Sequence, residues 1–154
     1  MAGAARVSLK PASAHDLEFV RTCAREAYQP YVADIGREPA PMVADFAEHL
    51  RQNELELITS EDAPVGYVVS WLSDGVLFVD NIAITARMRG QGLARTVFDQ
   101  LSERGRANSA NAIELYTNEK MTENLKFYPR LGFEEIDRRT EAGFKRVYFR
   151  KTVD

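Results

Sequence analysis

The spacing of hydrophobic and polar residues divides the chain into short strands and amphipathic helices. In several segments apolar residues alternate with polar ones or form brief apolar runs, which predicts strands. These segments are residues 6–11, 56–60, 65–72, 77–84, 112–116, 133–138 and 144–151. Turn residues at 61–64 and 141–143 separate the second strand from the third and the sixth from the seventh, so each pair is expected to form a hairpin.

Apolar residues recur every three or four positions in four other segments, which predicts helices. The first helix is expected to begin near Ser13, since Asp16 follows at capping-box spacing, and the last covers residues 122–131 and ends at Gly132. The inward-facing residues of the first three helices are predicted to be Leu17, Val20, Ala24 and Ala27, then Val43, Phe46 and Leu50, then Leu93, Val97, Phe98 and Leu101.

The segment 28–42 between the first two helices is predicted to be a loop, because three prolines and a glycine interrupt it. Its functional side chains are more numerous than a simple connection requires. They are Tyr28, Tyr31, Asp34, Glu38 and Met42. Two interpretations of Tyr28 and Tyr31 stay open at this point: they line a binding site, or they cover the edge of the core.

The most informative segment joins the strand 77–84 to the helix that begins at Leu93. The connecting loop 87–92 is rich in arginine and glycine. The first N–H groups of a helix have no partner inside it, and the helix dipole adds partial positive charge at this end. Glycine lets the backbone approach an anion closely, and arginine adds fixed positive charge. The segment therefore predicts a pyrophosphate-binding loop.

Two common phosphate-binding motifs do not fit this loop. A dinucleotide-binding loop needs a third glycine where this chain has Arg95, and a Walker A loop needs a Gly-Lys-Ser/Thr run that the sequence lacks. Arg87, Gly90 and Gly92 instead form the pattern Arg-x-x-Gly-x-Gly. The segment resembles the loop with which the GNAT superfamily of N-acetyltransferases binds the pyrophosphate of coenzyme A. The alternative is an arginine-flanked turn before an ordinary amphipathic helix.

A second segment, residues 124–133, also resembles this superfamily. In the family a helix carrying Phe-Tyr is followed by Gly-Phe and a strand, and the tyrosine, here Tyr128, donates a proton to the departing thiolate. A phenol with a pKa of about 10 can protonate a thiolate whose pKa is about 8.5. The alternative role of Tyr128 is packing on the sheet. Met121 and Asn124 depart from the residues usual in the family, and Pro129 is expected to distort the last helical turn.

The resemblance implies one α/β (α+β) domain over residues 1–154, with a mixed, twisted sheet of about six to seven strands flanked by about four helices. Strands 77–84 and 112–116 would splay apart to admit the pantetheine arm. A backbone N–H of the first of these strands would polarise the thioester carbonyl. The implied coenzyme-contacting residues are Ile82, Ala83, Ile84, Arg87, Arg89, Gly90, Gln91, Gly92, Leu93 and Ala94, with Asn118 or Asn124.

The implied reaction is direct transfer of the acetyl group of acetyl-CoA to an amine. An amine must lose a proton before it attacks, so a base or a water relay is needed. Asp80, just before the segment that would pair with pantetheine, is the preferred base, and Glu114 is the alternative. Asp34 and Glu38 would suit a cationic amine. The implied acceptor-binding residues are Tyr28, Tyr31, Asp34 and Met42.

Composition excludes several partners. The 154 residues are 45% hydrophobic and 28% charged, as in an ordinary soluble domain, and a net charge of −3 argues against a nucleic-acid partner. The single cysteine, Cys23, precludes an intramolecular disulfide and is expected in the core. The absence of an apolar signal core or membrane-length run predicts a cytoplasmic location. His15 and His49 have no metal-ligand spacing, so no metal is expected.

Two other classes of function stay open. A non-catalytic acyl-CoA-binding or regulatory module would keep the pyrophosphate loop and lack turnover. A protein-interaction domain would use the loop only as structure. The sequence does not identify the acceptor beyond a small-molecule or peptide amine, because one fold serves many substrates. The resemblance is compatible with a homodimer.

Overall fold

In the computed structural model, which describes residues 6–153, seven strands form one sheet. The strands are β1 (Val7–Pro11), β2 (Leu55–Ser60), β3 (Ala63–Ser73), β4 (Val76–Ile84), β5 (Ala112–Asn118), β6 (Glu134–Glu141) and β7 (Phe144–Thr152). Their spatial order is β1-β2-β3-β4-β5-β7-β6, in which β4 and β5 are parallel and the other neighbours antiparallel. The predicted mixed sheet is therefore confirmed.

Helices pack against both faces of this sheet. They are α1 (Leu17–Tyr28), α2 (Val32–Ile35), α3 (Phe46–Arg51), α4 (Leu93–Ala107) and α5 (Thr122–Arg130). The expected four helices are confirmed as α1, α3, α4 and α5, and α2 is one further turn. Within residues 6–153 no helix combines the length and the hydrophobicity needed to span a membrane.

Two-residue turns connect the hairpin strands. Glu61 and Asp62 have φ of 52° and 66°, and positive φ at both positions gives a turn whose twist matches that of the paired strands. The turn predicted at 61–64 is therefore too long, because β3 already begins at Ala63. The last hairpin turns in the same way at Ala142, with φ of 52°, and the glycine after it.

The segment 28–42, predicted to be a loop, consists largely of short helical turns. Gln29–Tyr31 and Ala40–Val43 form 3-10 turns, and α2 lies between them. Gly36 ends α2 with φ of 90°, the left-handed conformation common after a helix. The next helix begins later than predicted, so Val43 is 64% exposed, which contradicts its predicted inward position.

Two hydrophobic clusters occupy the two faces of the sheet. One packs α4 and α5 on the strands and includes Val97 and Leu101, and the other packs α1 and α3 and includes Val20 and Phe46. Cys23 belongs to the second cluster. Burial leaves its side chain 3% exposed and raises the pKa of the thiol to about 12, which confirms its predicted core position.

Strands β4 and β5 pair only along the first part of β4. The parallel pairing runs from Val76 with Ala112 to Val79 with Leu115. Beyond it β4 stays paired with β3, and β5 stays paired with β7, so the two strands separate and leave a gap. The predicted splaying of these two neighbouring strands is confirmed.

A β-bulge in β4 lies where the strands separate. Consecutive residues of β3 pair with Val79 and Asn81, which leaves Asp80 as an extra residue on β4. A bulge reverses which residues of a strand face each side of the sheet. Accordingly, Val79 packs in the α4 cluster, whereas Ala83 packs in the α1 cluster. The bulge places Asp80 at the base of the gap.

Candidate functional site

A cleft of about 360 Å³ lies between the far end of β4, the start of α4 and helix α5. The end of α1 and the 3-10 turn after it close one side of the cleft, where Tyr28 and Tyr31 contribute to the wall. Most residues of the predicted coenzyme-binding set line this cleft. They are Ile82, Ala83, Ile84, Arg89, Gly90, Gly92, Leu93, Ala94 and Asn124.

Two glycines shape the loop that leads into α4. Gly90 and Gly92 have φ of 77° and 78°, in the left-handed region that other residues rarely adopt. Gly92 is the N-cap of α4, and no side chain caps the helix there. Among the described residues, nothing beyond the chain neighbours lies within 4 Å of a Cβ built at either glycine. The first-turn N–H groups of α4 therefore open onto the cleft.

The arginines at this end of α4 are not ion-paired in the described part of the chain, and Glu123 is a carboxylate that also lines the cleft. The first turn of α4 has no acidic residue and carries Arg95. Within residues 6–153, Arg87, Arg89 and Arg95 form no ion pair with a carboxylate. A cation in the first turn opposes the helix dipole, so a bound anion would stabilise this arrangement.

The end of β4 turns backbone groups toward the cleft. The Ile82 carbonyl accepts a hydrogen bond of 2.8 Å from Tyr28 Oη, and the Ile84 carbonyl accepts one of 3.0 Å from Arg89 Nε. Because the N–H and C=O of one residue point to the same side of a strand, both peptide groups face the cleft. An extended ligand can pair with such an edge as another strand would.

Tyr128 lies where α5 meets the core. Its ring packs against Phe98, Phe133 and Phe149, and the residue is 7% exposed. Burial raises the pKa of the phenol well above its ordinary value, so the hydroxyl stays protonated at neutral pH. Pro129 lies in the last turn of α5, and the distortion expected from it leaves Tyr128 on the wall of the cleft.

A notch of about 40 Å³ continues from the cleft into the gap between β4 and β5. Cleft and notch share four lining residues, Tyr28, Ile82, Asn124 and Tyr128, and are therefore contiguous. The site thus extends from the arginine-rich loop, along the end of β4, to the bulge at Asp80.

Asp80 is a largely buried carboxylate in the notch, with a side chain 24% exposed. Tyr116 Oη donates a hydrogen bond of 3.3 Å to its Oδ1, and His49 Nε2 lies 4.0 Å from its Oδ2. Burial raises the pKa of Asp80 above its ordinary value, although His49, Tyr116 and the nearby Arg146 lower it. A raised pKa suits a carboxylate that must accept a proton near neutral pH.

His49 links Asp80 to a second carboxylate, a connection that sequence analysis missed. Its Nδ1 lies 2.8 Å from Glu54 Oε1, and its ring stacks on Trp71 with the ring centres 6.2 Å apart. Only the packing of α3 against the sheet brings His49 close to Asp80. No local pattern in the sequence indicates this pairing.

The far wall of the notch comes from β5 and β7, which the sequence did not connect with the site. Tyr116, Phe144 and Arg146 line it, and the Arg146 guanidinium carbon lies 4.4 Å from the centre of the Tyr116 ring. Asn81 lines the notch as well. Its Oδ1 accepts a hydrogen bond of 2.7 Å from Tyr67 Oη, and its Nδ2 is buried with no partner among the described residues.

Several residues of the predicted site lie outside the cleft. Asp34 is exposed and Met42 is half-buried, and neither lines the cleft or the notch. Arg87 and Gln91 are exposed on the loop, where Gln91 Nε2 donates a hydrogen bond of 3.3 Å to the Arg87 carbonyl. Asn118 lines only the notch.

Two further comparisons distinguish between alternatives that the sequence left open. Asn124 lines the cleft, whereas the Asn118 Oδ1 accepts a hydrogen bond of 2.9 Å from the Lys120 N–H in a local turn. Glu114, the alternative base, is ion-paired with Arg150 at 2.5 Å and lines neither the cleft nor the notch. The geometry favours Asn124 and Asp80.

The sequence profile described as the Acetyltransferase (GNAT) family matches residues 17–133. The chain belongs to this family. The matched residues include the arginine-rich loop, Asp80 and Tyr128, so the resemblance inferred from the two sequence motifs is confirmed, and the protein is an acetyltransferase. Strand β7, with Phe144 and Arg146, lies beyond the matched range.

Solved structures share the fold over nearly the whole chain. The PaiA N-acetyltransferase of Thermoplasma acidophilum, in complex with coenzyme A, aligns with a TM-score of 0.78 at 13% identity over 96% of this chain and 99% of that chain. A GNAT-family acetyltransferase of Streptococcus agalactiae gives a TM-score of 0.78 at 18% identity over 96% of each chain. The ribosomal-protein-S18-alanine N-acetyltransferase of Escherichia coli aligns with a TM-score of 0.74 at 14% identity over 97% of this chain and 95% of that chain.

Identities this low establish a common fold and leave the substrate undetermined. No curated protein sequence matches the chain. The acceptor must therefore be inferred from the site itself.

Proposed function

We propose that this protein transfers the acetyl group of acetyl-CoA directly to an amine. The observation that carries the proposal is the continuity of the site. A cationic helix N-terminus, a strand edge with exposed peptide groups and a base with a raised pKa follow one another along one contiguous cavity. Each of these three features suits one part of the reaction.

The loop before α4 would hold the pyrophosphate of the coenzyme. The first-turn N–H groups of α4 would donate to the phosphate oxygens, and Arg89 and Arg95 would neutralise their charge. The peptide groups of Ile82 and Ile84 would pair with the pantetheine arm, and Asn124 would contact it from α5. When pantetheine binds, Tyr28 and Arg89 would either share the Ile82 and Ile84 carbonyls with it or give up their present hydrogen bonds to them.

Asp80 and Tyr128 would manage the protons. Asp80 would take a proton from the amine, directly or through water, so that the nitrogen lone pair can attack the thioester carbonyl carbon. A backbone N–H of β4 would donate to the carbonyl oxygen as negative charge develops there. When the carbon–sulfur bond breaks, Tyr128 would donate its phenolic proton to the departing sulfur.

Thermal unfolding with and without acetyl-CoA tests the coenzyme site. A ligand at one hundred times its dissociation constant stabilises the fold by about 2.7 kcal/mol, which corresponds to a Tm increase of about 5–10 °C for a chain of this size. Gly92→Glu should abolish the increase, because the new carboxylate would block and repel the pyrophosphate. Gly75→Glu is a matched control, since Gly75 has φ of 76° in the distant β3–β4 turn.

The outcomes separate the remaining functions. No stabilisation of the unaltered protein would contradict the coenzyme site and leave a protein-interaction domain. Stabilisation without thiol release across a panel of amines would indicate a non-catalytic acyl-CoA-binding module. Stabilisation that Gly92→Glu abolishes and Gly75→Glu retains, together with thiol release, supports the enzyme.

A further inference from the structure

The donor groups around the notch point to a particular class of acceptor. Asp80 supplies one negative charge to the notch, whereas Arg146 supplies hydrogen-bond donors. Arg146 lies on the opposite wall, with a side chain only 17% exposed, and Asn81 has a buried amide nitrogen without a partner in the described residues. A buried donor without an acceptor is uncommon in proteins, so the wall around Asn81 has more hydrogen-bond donors than acceptors.

Arg146 has hydrogen-bonding capacity to spare. Its one carboxylate contact in residues 6–153 is Glu141 Oε1, at a long 3.4 Å, and the same oxygen also accepts a hydrogen bond from Tyr148 Oη. A guanidinium group carries five N–H donors in a planar fork. Arg146 can therefore bind an additional carboxylate without losing its present partner.

A second arginine, Arg37, contacts the Phe144 ring from outside the lining of the notch. The Arg37 guanidinium carbon lies 3.6 Å from the centre of the Phe144 ring, and that of Arg146 lies 5.7 Å from the same centre. Arg37 also donates a hydrogen bond to the Ala142 carbonyl, which holds the segment after α2 against the last hairpin. Two guanidinium groups against one ring repel each other, and an anion near them relieves this repulsion.

The arrangement of Asp80 and Arg146 limits the size of the acceptor. The Tyr116 hydroxyl contacts Asp80 while the Tyr116 ring lies under the Arg146 guanidinium, so one phenol separates base and cation. The notch itself holds roughly three water molecules. A carboxylate suits this space and the planar fork of arginine.

We propose that the acceptor is an amine with a carboxylate one or two carbon atoms away, as in an α-amino acid, and that Arg146 recognises that carboxylate. The inference rests on the proposed acetyl transfer. It disfavours polyamines and aminoglycosides, whose additional positive charges would lie beside Arg146. It also replaces the suggestion that Asp34 and Glu38 select a cationic amine, because both are exposed and line neither cavity.

Two bisubstrate conjugates test the proposal without knowledge of the natural acceptor. In each conjugate an acetyl group links the coenzyme A sulfur to the nitrogen of the acceptor part. The acceptor part is glycine in the first conjugate and glycinamide in the second. The two probes differ only in a carboxylate and a neutral amide of nearly the same shape. Calorimetric titration should show that the glycine conjugate binds about tenfold more tightly.

Arg146→Gln should reduce this ratio to about one, with unchanged affinity for coenzyme A alone. Arg139→Gln is the matched control and should preserve the ratio, because the Arg139 guanidinium stacks on Tyr148 and is paired with Asp137 outside the notch. Equal affinity of the unaltered protein for the two conjugates would overturn the carboxylate proposal, even if Arg146→Gln fails to fold. Failure of coenzyme A and both conjugates to bind would instead overturn the proposed function itself.

Discussion

The two halves of the site differ in how the chain builds them. Most of the coenzyme half comes from two continuous segments, residues 82–98 and residues 123–128, and residues 27–31 close one side of it. The acceptor half combines Asp80 of β4 with side chains from the segment before α3, from β5 and from β7. A phosphate needs a particular backbone conformation, which a short motif can encode. A small acceptor needs several side chains at set distances, which only the tertiary fold brings together.

Replacing the base should have the largest effect in the acceptor half. Asp80→Asn should lower the rate of acetyl transfer about 10²- to 10⁴-fold, with little change in coenzyme affinity. In the unaltered enzyme the rate should rise with pH as Asp80 loses its proton, through a pKa above the ordinary aspartate value. The variant should lose this rise. Glu114→Gln, which removes a carboxylate paired with Arg150 outside the site, is the control and should keep both rate and profile.

Asp80→Asn should also stabilise the fold. A loss of rate in a more stable variant cannot be explained by unfolding. Burial raises the folded-state pKa of Asp80, so the folded protein binds this proton more tightly than the unfolded chain does. The charged form therefore destabilises the fold above that pKa, and the penalty disappears as the pH falls below the unfolded value. Asp80→Asn should have a higher Tm than the unaltered protein at pH 8 and nearly the same Tm at low pH. A lower Tm at pH 8 would show that the Asp80 charge is stabilising.

Tyr128 belongs to both halves, and its hydroxyl should matter less than the Asp80 carboxylate. Tyr128→Phe should lower kcat about a hundredfold at saturating substrates, because a thiolate is a moderately good leaving group. The ring contacts with Phe98, Phe133 and Phe149 are retained, so the Tm should change little. Any alkaline fall in rate should persist in the variant, since burial keeps the pKa of Tyr128 well above its ordinary value. A normal kcat would leave Tyr128 as a core residue only.

The contrast between the halves explains what could be predicted from the sequence. The strand, glycine loop and helix around Gly92 were predictable because local backbone preferences determine them, and so was the helix that carries Tyr128, whereas the role of Tyr128 stays a prediction. The break in alternation at Asp80 and Asn81, two polar residues in an apolar strand, is a local sign of the bulge. From these two polar residues, the point at which β4 separates from β5 could have been predicted to lie at Asp80.

The acceptor wall was predicted less well, for two physical reasons. In segment 28–42, short 3-10 and α-helical turns direct Asp34 and Met42 away from the cavities, and no periodicity predicts such directions. Arg146 reaches the notch through the pairing of β7 with β5, a long-range register that single-sequence patterns do not contain. The sequence suggests no partner for His49, whereas the fold places two carboxylates beside it.

Within the coenzyme half, the two arginines of the loop, Arg87 and Arg89, should differ in how much they contribute to acetyl-CoA binding. Arg89 lines the cleft and bonds the Ile84 carbonyl, whereas Arg87 is exposed and lies outside the lining. Arg89→Gln should raise the KM for acetyl-CoA about tenfold with kcat nearly unchanged, as expected when one charged hydrogen bond is lost. Arg87→Gln is the matched control and should change the KM much less. Equal effects would mean that the bound coenzyme draws Arg87 into the cleft.

Replacing His49 should have the smallest effect on the rate. This replacement tests whether residues outside the notch contribute to the acceptor half. The protonated form of His49 lowers the pKa of Asp80, since its Nε2 lies 4.0 Å from the Asp80 carboxylate. Two unit charges at this distance interact by about 1 kcal/mol in water, and both side chains are partly exposed, so the effect on the rate should not exceed about fivefold. His49→Gln should move the rise in the pH–rate profile to higher pH and lower the rate mainly on the acid side. A uniform loss at all pH values would show that His49 only supports the packing of α3, through its contacts with Trp71 and Phe46.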